Sequence, residues 1–273
     1  LVIDGNLVAF ASAGISEYTI PNTVTKIGNS VFYNCYKLQH IIIGDSVTSI
    51  NANAFYGCTN LKEVLFGNNL STIGNNAFYL CRSLVNIQIP DCVKTIGSRA
   101  FEYCSSLTSI TIGSQVTSIG YYAFFYCTSL KSVYCSAICP PELKNYDASR
   151  SNVFGENANG RRIYVYEEVV DLYKTEWKEY SSSIYSHGKY PDNGATTTFY
   201  YTTSDEQIVN TSTIAIKSNE YTDGIGRMIV YGKIESMPTD MFKSCSSLIS
   251  IVIPNGVRSI GQNAFLDCSS LVD

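Results

Sequence analysis

The chain has 273 residues, 19 of them basic and 23 acidic, for a net charge of −4. Apolar residues make up 45% and charged ones 15%, enough hydrocarbon for a sizeable core in one long domain or two shorter ones. Mild acidity argues against a nucleic-acid partner, which selects basic patches, and no apolar run approaches the roughly 20 residues needed to cross a bilayer.

At the N-terminus, Asp4-Gly5-Asn6 reads as a hairpin turn and not as an ion-binding loop. The first residue is Leu1 and not Met, so a mature or trimmed form is expected, with any targeting signal lying upstream. From Ile15 onward one pattern dominates. Cys35, Cys58, Cys81, Cys104 and Cys127 follow one another at 23 residues, and Cys245 and Cys268 repeat the step. Leucines lie three residues behind the first five (Leu38 to Leu130), phenylalanines three ahead (Phe32 to Phe124) and isoleucines eight ahead (Ile27 to Ile119). The unit is L-x-x-I-x-I-P/G-x-x-V-x-x-I-G-x-x-A-F-x-x-C-x-x, in phase at too many positions for coincidence.

Each part of the unit has a physical task. The L-x-x-I-x-I segment predicts a short strand with Leu84, Ile87 and Ile89 inward. Pro90 or Gly113 ends it. The V-x-x-I-G piece predicts a turn, with Gly74, Gly97 and Gly120 supplying unusual backbone angles. Ala-Phe fills the bend and Cys closes the coil. Since one coil cannot bury its own apolar edge, neighbouring coils must stack. The expected fold is a β-rich repeat solenoid with one short parallel strand per 23-residue coil.

After Leu130 the period slips to 30 residues, counted to Gly160 in the leucine place. The seven extra residues are expected to loop out between Pro140 and Asn152. Val153-Phe154 takes the Ala-Phe place, and Ile163 and Val165 form the next strand. Val170, Tyr173, Trp177 and Tyr180 then recur at helical spacing behind Glu167, Glu168 and Asp171, which predicts a helix from Glu167 to Tyr180. That helix is read as a cap on the open end of the first block. The predicted organisation is a first block over 1–186, a linker over 187–194 and a second block over 195–273. The second block opens with a strand at Phe199–Thr203. Ile225, Met228 and Val230 take the strand places, and Ile234, Met237, Met241 and Phe242 the V, I, A and F places. It stops inside a repeat at Leu271, which predicts further repeats or a covering partner.

The segments "IPNTVTKIGNSVFYNCYKL", "IPDCVKTIGSRAFEYCSSL" and "IPNGVRSIGQNAFLDCSSL" resemble the BspA-like, Treponema-type leucine-rich repeat of bacterial surface proteins. The Cys-Pro-Pro stretch with "YVYEEVVDLYKTEW" is similar to the divergent repeat that ends such blocks, and "FYYTTSDEQIV" to the segment that opens new ones in gut Bacteroidales proteins. The resemblance covers nearly the whole chain. It implies leucine-rich-repeat architecture, a cell-surface or secreted location, and adhesion through a host or bacterial surface protein or a glycan. It supplies no active site, so no catalytic residue is carried over.

The cysteine ladder reads as buried thiols, because each recurs at one place in a different coil, whereas metal sites group their ligands closely. Cys135 and Cys139 lie off the ladder; a local disulfide and two free thiols both stand, the second being the default. With two histidines, His40 and His187, and no G-x-S-x-G, H-E-x-x-H or phosphate-binding glycine motif, neither catalytic residue, metal nor cofactor is expected. Asn69-Leu70-Ser71 and Asn210-Thr211-Ser212 match the glycosylation pattern, which a bacterial source would make irrelevant. Binding would be written on outward strand positions. There Ile42, Leu65 and Tyr134 offer contact area, while Lys62, Glu63 and Arg227 set orientation. Two alternatives stand beside this: β-branched outward residues simply favour strands, or the 140–152 insertion carries the binding. A structural spacer that displays another domain is the competing function.

Overall fold

A computed structural model describes residues 1–11, 14–145, 152–189, 196–205, 207–209, 213–222, 224–231 and 233–272. The chain forms two compact units. One comprises Leu1–Ala137, Pro141–Val165 and Glu179–Ser186; the other comprises Ile138–Pro140, Tyr166–Lys178 and His187–Asp273.

The first unit is a β-solenoid whose coils repeat every 23 residues. Its N-terminal hairpin pairs Val2–Ile3 with Asn6–Leu7 across Asp4 and Gly5, both at positive φ, as a tight primed turn requires. Each L-x-x-I-x-I segment contributes a strand to a first parallel ladder. Glu17–Thr19, His40–Ile42 and Glu63–Leu65 form one run. Asn86–Gln88, Ser109–Ile112, Ser132–Cys135, Arg162–Val165 and Ile184–Ser186 form the next. The runs part at the coil in which Phe66, edge-on to Phe78, replaces the isoleucine seen at Ile43 and Ile89.

The turn segment does more than turn. Lys26–Ile27, Ser49–Ile50, Thr72–Ile73, Thr95–Ile96 and Ser118–Ile119 are two-residue strands of a second parallel ladder, which Asn6–Leu7 and Glu142–Leu143 extend at its two ends. Each coil therefore carries two strands. Glu142–Leu143 falls within the segment expected to loop out, so that excursion begins later; residues 146–151 of it lie outside the described residues.

The glycines after these isoleucines correct the sequence reading. Gly74, Gly97 and Gly120 are absent from the residues at positive φ; what they provide is space. A Cβ on Gly97 would sit 2.5 Å from the carbonyl carbon of Gly74, and one on Gly120 2.3 Å from the amide of Ser98. Unusual angles fall instead at two other places per coil, held by non-glycine residues except at Gly57: Asn76 and Leu80, then Arg99 and Tyr103, then Tyr122 and Tyr126, these six with φ between 52° and 62°. Such conformations cost about 1–3 kcal/mol each. Inter-coil hydrogen bonds offset the cost: Asn76 N–H donates to Ser98 O (2.9 Å), Leu80 to Glu102 O (2.9 Å), Arg99 to Tyr121 O (2.9 Å) and Tyr103 to Phe125 O (3.0 Å).

Inside the coils, the A-F-x-x-C segment makes the core. Phe32, Phe55, Phe78, Phe101, Phe124 and Phe154 are buried and stack nearly parallel, at centroid distances from 4.8 to 5.5 Å. Burying one such ring contributes about 1.5–3 kcal/mol. Leu84, Ile87 and Ile89 all point inward, as their spacing predicts.

The end of this stack is closed by substitution, residue for residue. Each ladder Phe N–H donates to the next coil's carbonyl, as Phe101 does to Ala123 at 2.8 Å; Phe154 donates instead to the Tyr180 hydroxyl at 3.2 Å. Asn157, in the cysteine place, donates its amide to Phe124 O (2.8 Å), and Arg161 covers Phe154 O (2.5 Å) with its guanidinium over the Phe154 and Tyr180 rings. Burial lowers the pKa of this guanidinium. The single long helix expected over Glu167–Tyr180 is three pieces: a 3-10 turn Glu167–Val169, helix α1 over Val170–Glu176, and a 3-10 stretch Lys178–Ser183. Its buried stripe is Val169, Tyr173, Trp177 and Tyr180, one residue off the spacing that began at Val170. Trp177 leaves helical geometry at ψ 53°, which ends α1.

In the second unit the repeat register is only partly kept. Ser236–Met237 pairs in parallel with Ser259–Ile260, and Phe242 stacks on Phe265 at 5.6 Å. Ile225–Tyr231, however, is not a repeat strand stacked on Leu248–Val252. Thr196–Thr203 lies between them and pairs antiparallel with both, while Ile216–Thr222 closes the far edge. The core there gathers Phe199, Tyr201, Met228, Val230, Met237, Met241, Phe242 and Leu248. The linker expected over 187–194 falls largely on 190–195, and Asn210-Thr211-Ser212 falls on 210–212, both outside the described residues.

Candidate functional site

The candidate site is the outward side of the first strand ladder in the first unit. Period-two geometry sends Ile41, Val64, Ile87, Ile110, Val133 and Ile163 into the core and their neighbours out. Registry then aligns the outward residues in rows that cross the coils. One row contains Thr19, Ile42 and Leu65; in the other run it contains Gln88, Thr111, Tyr134, Tyr164 and Tyr185.

Of the six residues singled out from sequence, five lie on this side. Ile42 and Leu65 are direct neighbours, 44% and 50% exposed, and Tyr134 is 37% exposed. Glu63 carboxylate meets His40 Nδ1 at 3.3 Å, a half-exposed pair worth little on its own. The Lys62 ammonium donates to Gln39 Oε1 at 2.9 Å. Arg227 is elsewhere: it lies in the second unit on Ile225–Tyr231, opposite Tyr200 and Glu220 in an antiparallel sheet, because Thr196–Thr203 takes the neighbouring place.

Three neighbours of Tyr134 were missed. Tyr164 stacks on it at 5.0 Å and 15°, Tyr185 follows at 6.4 Å and 46°, and the Arg162 guanidinium lies over the Tyr185 ring at 5.2 Å. The signal was present: Tyr164 stands between Ile163 and Val165, both read as inward, so period two sends it outward. Tyr185 had no such signal, because Ile184–Ser186 follows a 3-10 stretch and not a repeat. At the start of the second run, Asn86 Oδ1 accepts from Thr108 and Ser109 hydroxyls at 3.0 and 2.7 Å, fixing polar side chains across coils.

This surface offers hydrocarbon, phenol, hydroxyl, amide and guanidinium groups. Among the described residues no group of three or more His, Cys, Asp or Glu could hold a metal ion, and no helix is long and apolar enough to cross a membrane. His187 is placed against the Tyr166 ring, 4.8 Å away. None of the ten cysteines is in a disulfide, Cys135 and Cys139 included. Five ladder thiols donate to a phenylalanine carbonyl one coil back, at 2.9 to 3.3 Å.

Two strands per 23-residue coil, a buried Phe stack and an ordered outward strand face define a leucine-rich-repeat solenoid. Residues 6–138 and 195–273 match the BspA type leucine rich repeat region, in six copies, and the chain belongs to that family. No curated protein matches it. Among solved structures it is similar in fold to the leucine rich repeat protein of T. pallidum (23% identity, 64% of this chain and 86% of that one, TM-score 0.47). It is also similar to the pneumococcal vaccine antigen PcpA (21%, 68% and 44%, 0.49) and to a leucine-rich repeat protein from Bacteroides ovatus (22%, 94% and 77%, 0.34).

Proposed function

We propose that the chain is a non-enzymatic bacterial binding scaffold, cell-surface or secreted, whose first-unit strand face takes a protein or glycan ligand. The observation that carries this reading is the row of exposed apolar and aromatic side chains, Ile42 and Leu65 at one end and Tyr134 with its neighbours at the other. Every member is held in register by strand pairing, so little conformational entropy is lost on contact. In this reading 1–186 and 195–273 are two repeat blocks joined by 187–194, and Arg227 belongs to the second block's own surface.

The test is to screen the purified chain on protein and glycan arrays, then compare Leu65→Glu and Tyr134→Ala with a variant in which the 140–152 segment is shortened. Loss of the array signal in the face variants is the expected result. Retention there with loss in the shortened variant moves the site to the insertion. A folded chain with no ligand on any array favours the spacer.

A further inference from the structure

The strand face is not uniform in charge. Its first run carries Glu17 and Glu63 among the outward residues. The second run, five strands from Asn86–Gln88 to Ile184–Ser186, carries no acidic residue at all. It bears Arg162, and Lys131 stands exposed just before Ser132–Cys135. A local excess of positive charge on a chain of net charge −4 is a departure from the average surface. Among the described residues no carboxylate pairs with Arg162; its guanidinium rests on the Tyr185 ring. Arg162 is exposed, and a guanidinium can grip a carboxylate through two parallel bonds.

The tyrosines narrow the partner further. Tyr134 and Tyr164 lie face to face, and a face of Tyr185 is under Arg162. Sugar recognition by aromatics uses an open ring face against the C–H side of a pyranose; here one face each of Tyr134 and Tyr164 is taken by the other, and Arg162 lies over Tyr185. A phenol adds a hydroxyl donor to its ring, a combination that suits backbone carbonyls and carboxylates. Around the tyrosines stand Ser132, Ser109, Thr108 and Asn86, so the surface combines tyrosine, serine, threonine, asparagine and arginine. That mixture gives rigid amphipathic contact area with adaptable hydrogen bonds and is characteristic of protein-binding surfaces.

We propose that the strand face from Asn86–Gln88 to Ile184–Ser186 docks an acidic protein segment, anchored by Arg162 and seated on the Tyr134–Tyr164–Tyr185 row. This rests on the strand face being the binding face, and it commits that face to one half and one partner class. Arg162 and Lys131 steer the segment in, so affinity falls with salt.

The probe is a fluorescein-labelled oligoglutamate peptide, read by anisotropy against the full chain, with oligolysine and polygalacturonate beside it. Oligoglutamate is expected to bind, oligolysine not. Arg162→Gln weakens binding about tenfold or more, the scale of one charge-assisted hydrogen bond. Arg162→Lys recovers part of it, and Lys26→Gln on the second ladder, away from this face, leaves it unchanged. Tyr164→Leu, which keeps an apolar side chain in the row but removes the ring and hydroxyl, loses affinity with an unaltered circular dichroism spectrum. Oligoglutamate that does not bind, or binds Arg162→Gln equally well, overturns the proposal. So does polygalacturonate binding more tightly than the peptide with the same dependence on Arg162, which would make the partner a glycan. A chain that ignores oligoglutamate but captures an array ligand through Leu65 overturns this inference alone and leaves the broader binding function standing.

Discussion

The thiol of Cys104 donates to the carbonyl oxygen of Phe78 across 3.3 Å, 26 residues back along the chain. Cys81 does the same to Phe55 and Cys127 to Phe101, so each coil is tied to the one before by its sulfur. Burial pushes the Cys104 thiol well above its ordinary pKa, which keeps the proton on the sulfur as the bond requires. Phe78 O also accepts from the Cys81 amide at 3.2 Å, so it keeps one partner when the thiol is lost. Cys104→Ala is therefore expected to cost only about 1–2 kcal/mol, a small cavity plus one weak bond. Urea unfolding measures it; a loss beyond about 4 kcal/mol would mean that the sulfur holds more than these two terms.

Six of the ten cysteines are buried (Cys35, Cys58, Cys81, Cys104, Cys127 and Cys135), and four are partly exposed (Cys92, Cys139, Cys245 and Cys268). Burial raises the pKa of Cys139 to about 12 and of Cys245 to about 11, so even these are poor nucleophiles near neutrality. Titration with a thiol reagent should count at most four groups on the native chain and all ten after denaturation. Equal counts in the two states would remove the buried-thiol reading of the ladder.

Tyr180 ends the phenylalanine stack by accepting the amide hydrogen of Phe154. In Tyr180→Phe the ring still meets Phe154 edge-on, but a buried N–H loses its acceptor, at about 1–3 kcal/mol. Amide exchange at Phe154 should quicken while Phe101 and Phe124 remain protected. Unchanged exchange at Phe154 would show that the hydroxyl is not what closes the ladder.

Glu102 stands in the place that Tyr33, Tyr56 and Tyr79 occupy in earlier coils. It is only 5% exposed, Arg99 Nε is 3.7 Å away, and no hydrogen bond reaches Oε2. Desolvation raises its pKa, and Arg99 only partly opposes this. The folded state thus binds the proton more tightly than the unfolded chain. Stability falls as pH rises from the ordinary carboxylate range through the raised folded value, and stays reduced above it. Glu102→Gln is expected to raise the melting temperature at neutral pH, with the gain shrinking as pH drops below the ordinary carboxylate value. A gain that persists in acid would assign the effect to packing and not to charge.

Gly97 and Gly160 are required for different reasons. Gly97 lies against the Gly74 backbone, whereas Gly160 has open space but φ of +74°. Gly97→Asn should destabilise by about 1–3 kcal/mol through overpacking. Gly160→Asn should be nearly silent, since Asn tolerates the left-handed region, while Gly160→Ala costs roughly 1 kcal/mol. Equal melting temperatures for the two Asn variants would contradict this division.

Much of the fold is legible because a solenoid coil meets only its neighbours. A residue such as Phe78 sees the same place in the coils before and after it, so a 23-residue phase maps directly onto contact. Ile42 and Leu65 as outward neighbours follow from that phase and from period two alone. Arg227 is exposed on its strand as period two predicts, but that strand, which matches the repeat pattern along the chain, does not stack on the next coil. Thr196–Thr203, sharing none of that pattern, hydrogen-bonds between it and the next coil.

The sequence by itself determined the repeat length, the inward residues of each coil, the buried cysteine and phenylalanine places and the family. Each of these depends on contacts that recur at fixed separation, and recurrence is visible along a chain. Only the tertiary structure decided that each coil carries a second strand and that Tyr180 and Arg161 finish the phenylalanine stack. It alone brought Tyr185 and Arg162 beside Tyr134 and set an antiparallel sheet into the second unit. The second strand recurs, but at two residues it is too short to show an alternation; the other features arise where the repeat stops, and there the partners of each group are set by three-dimensional proximity and hydrogen-bond need, which leave no period to read.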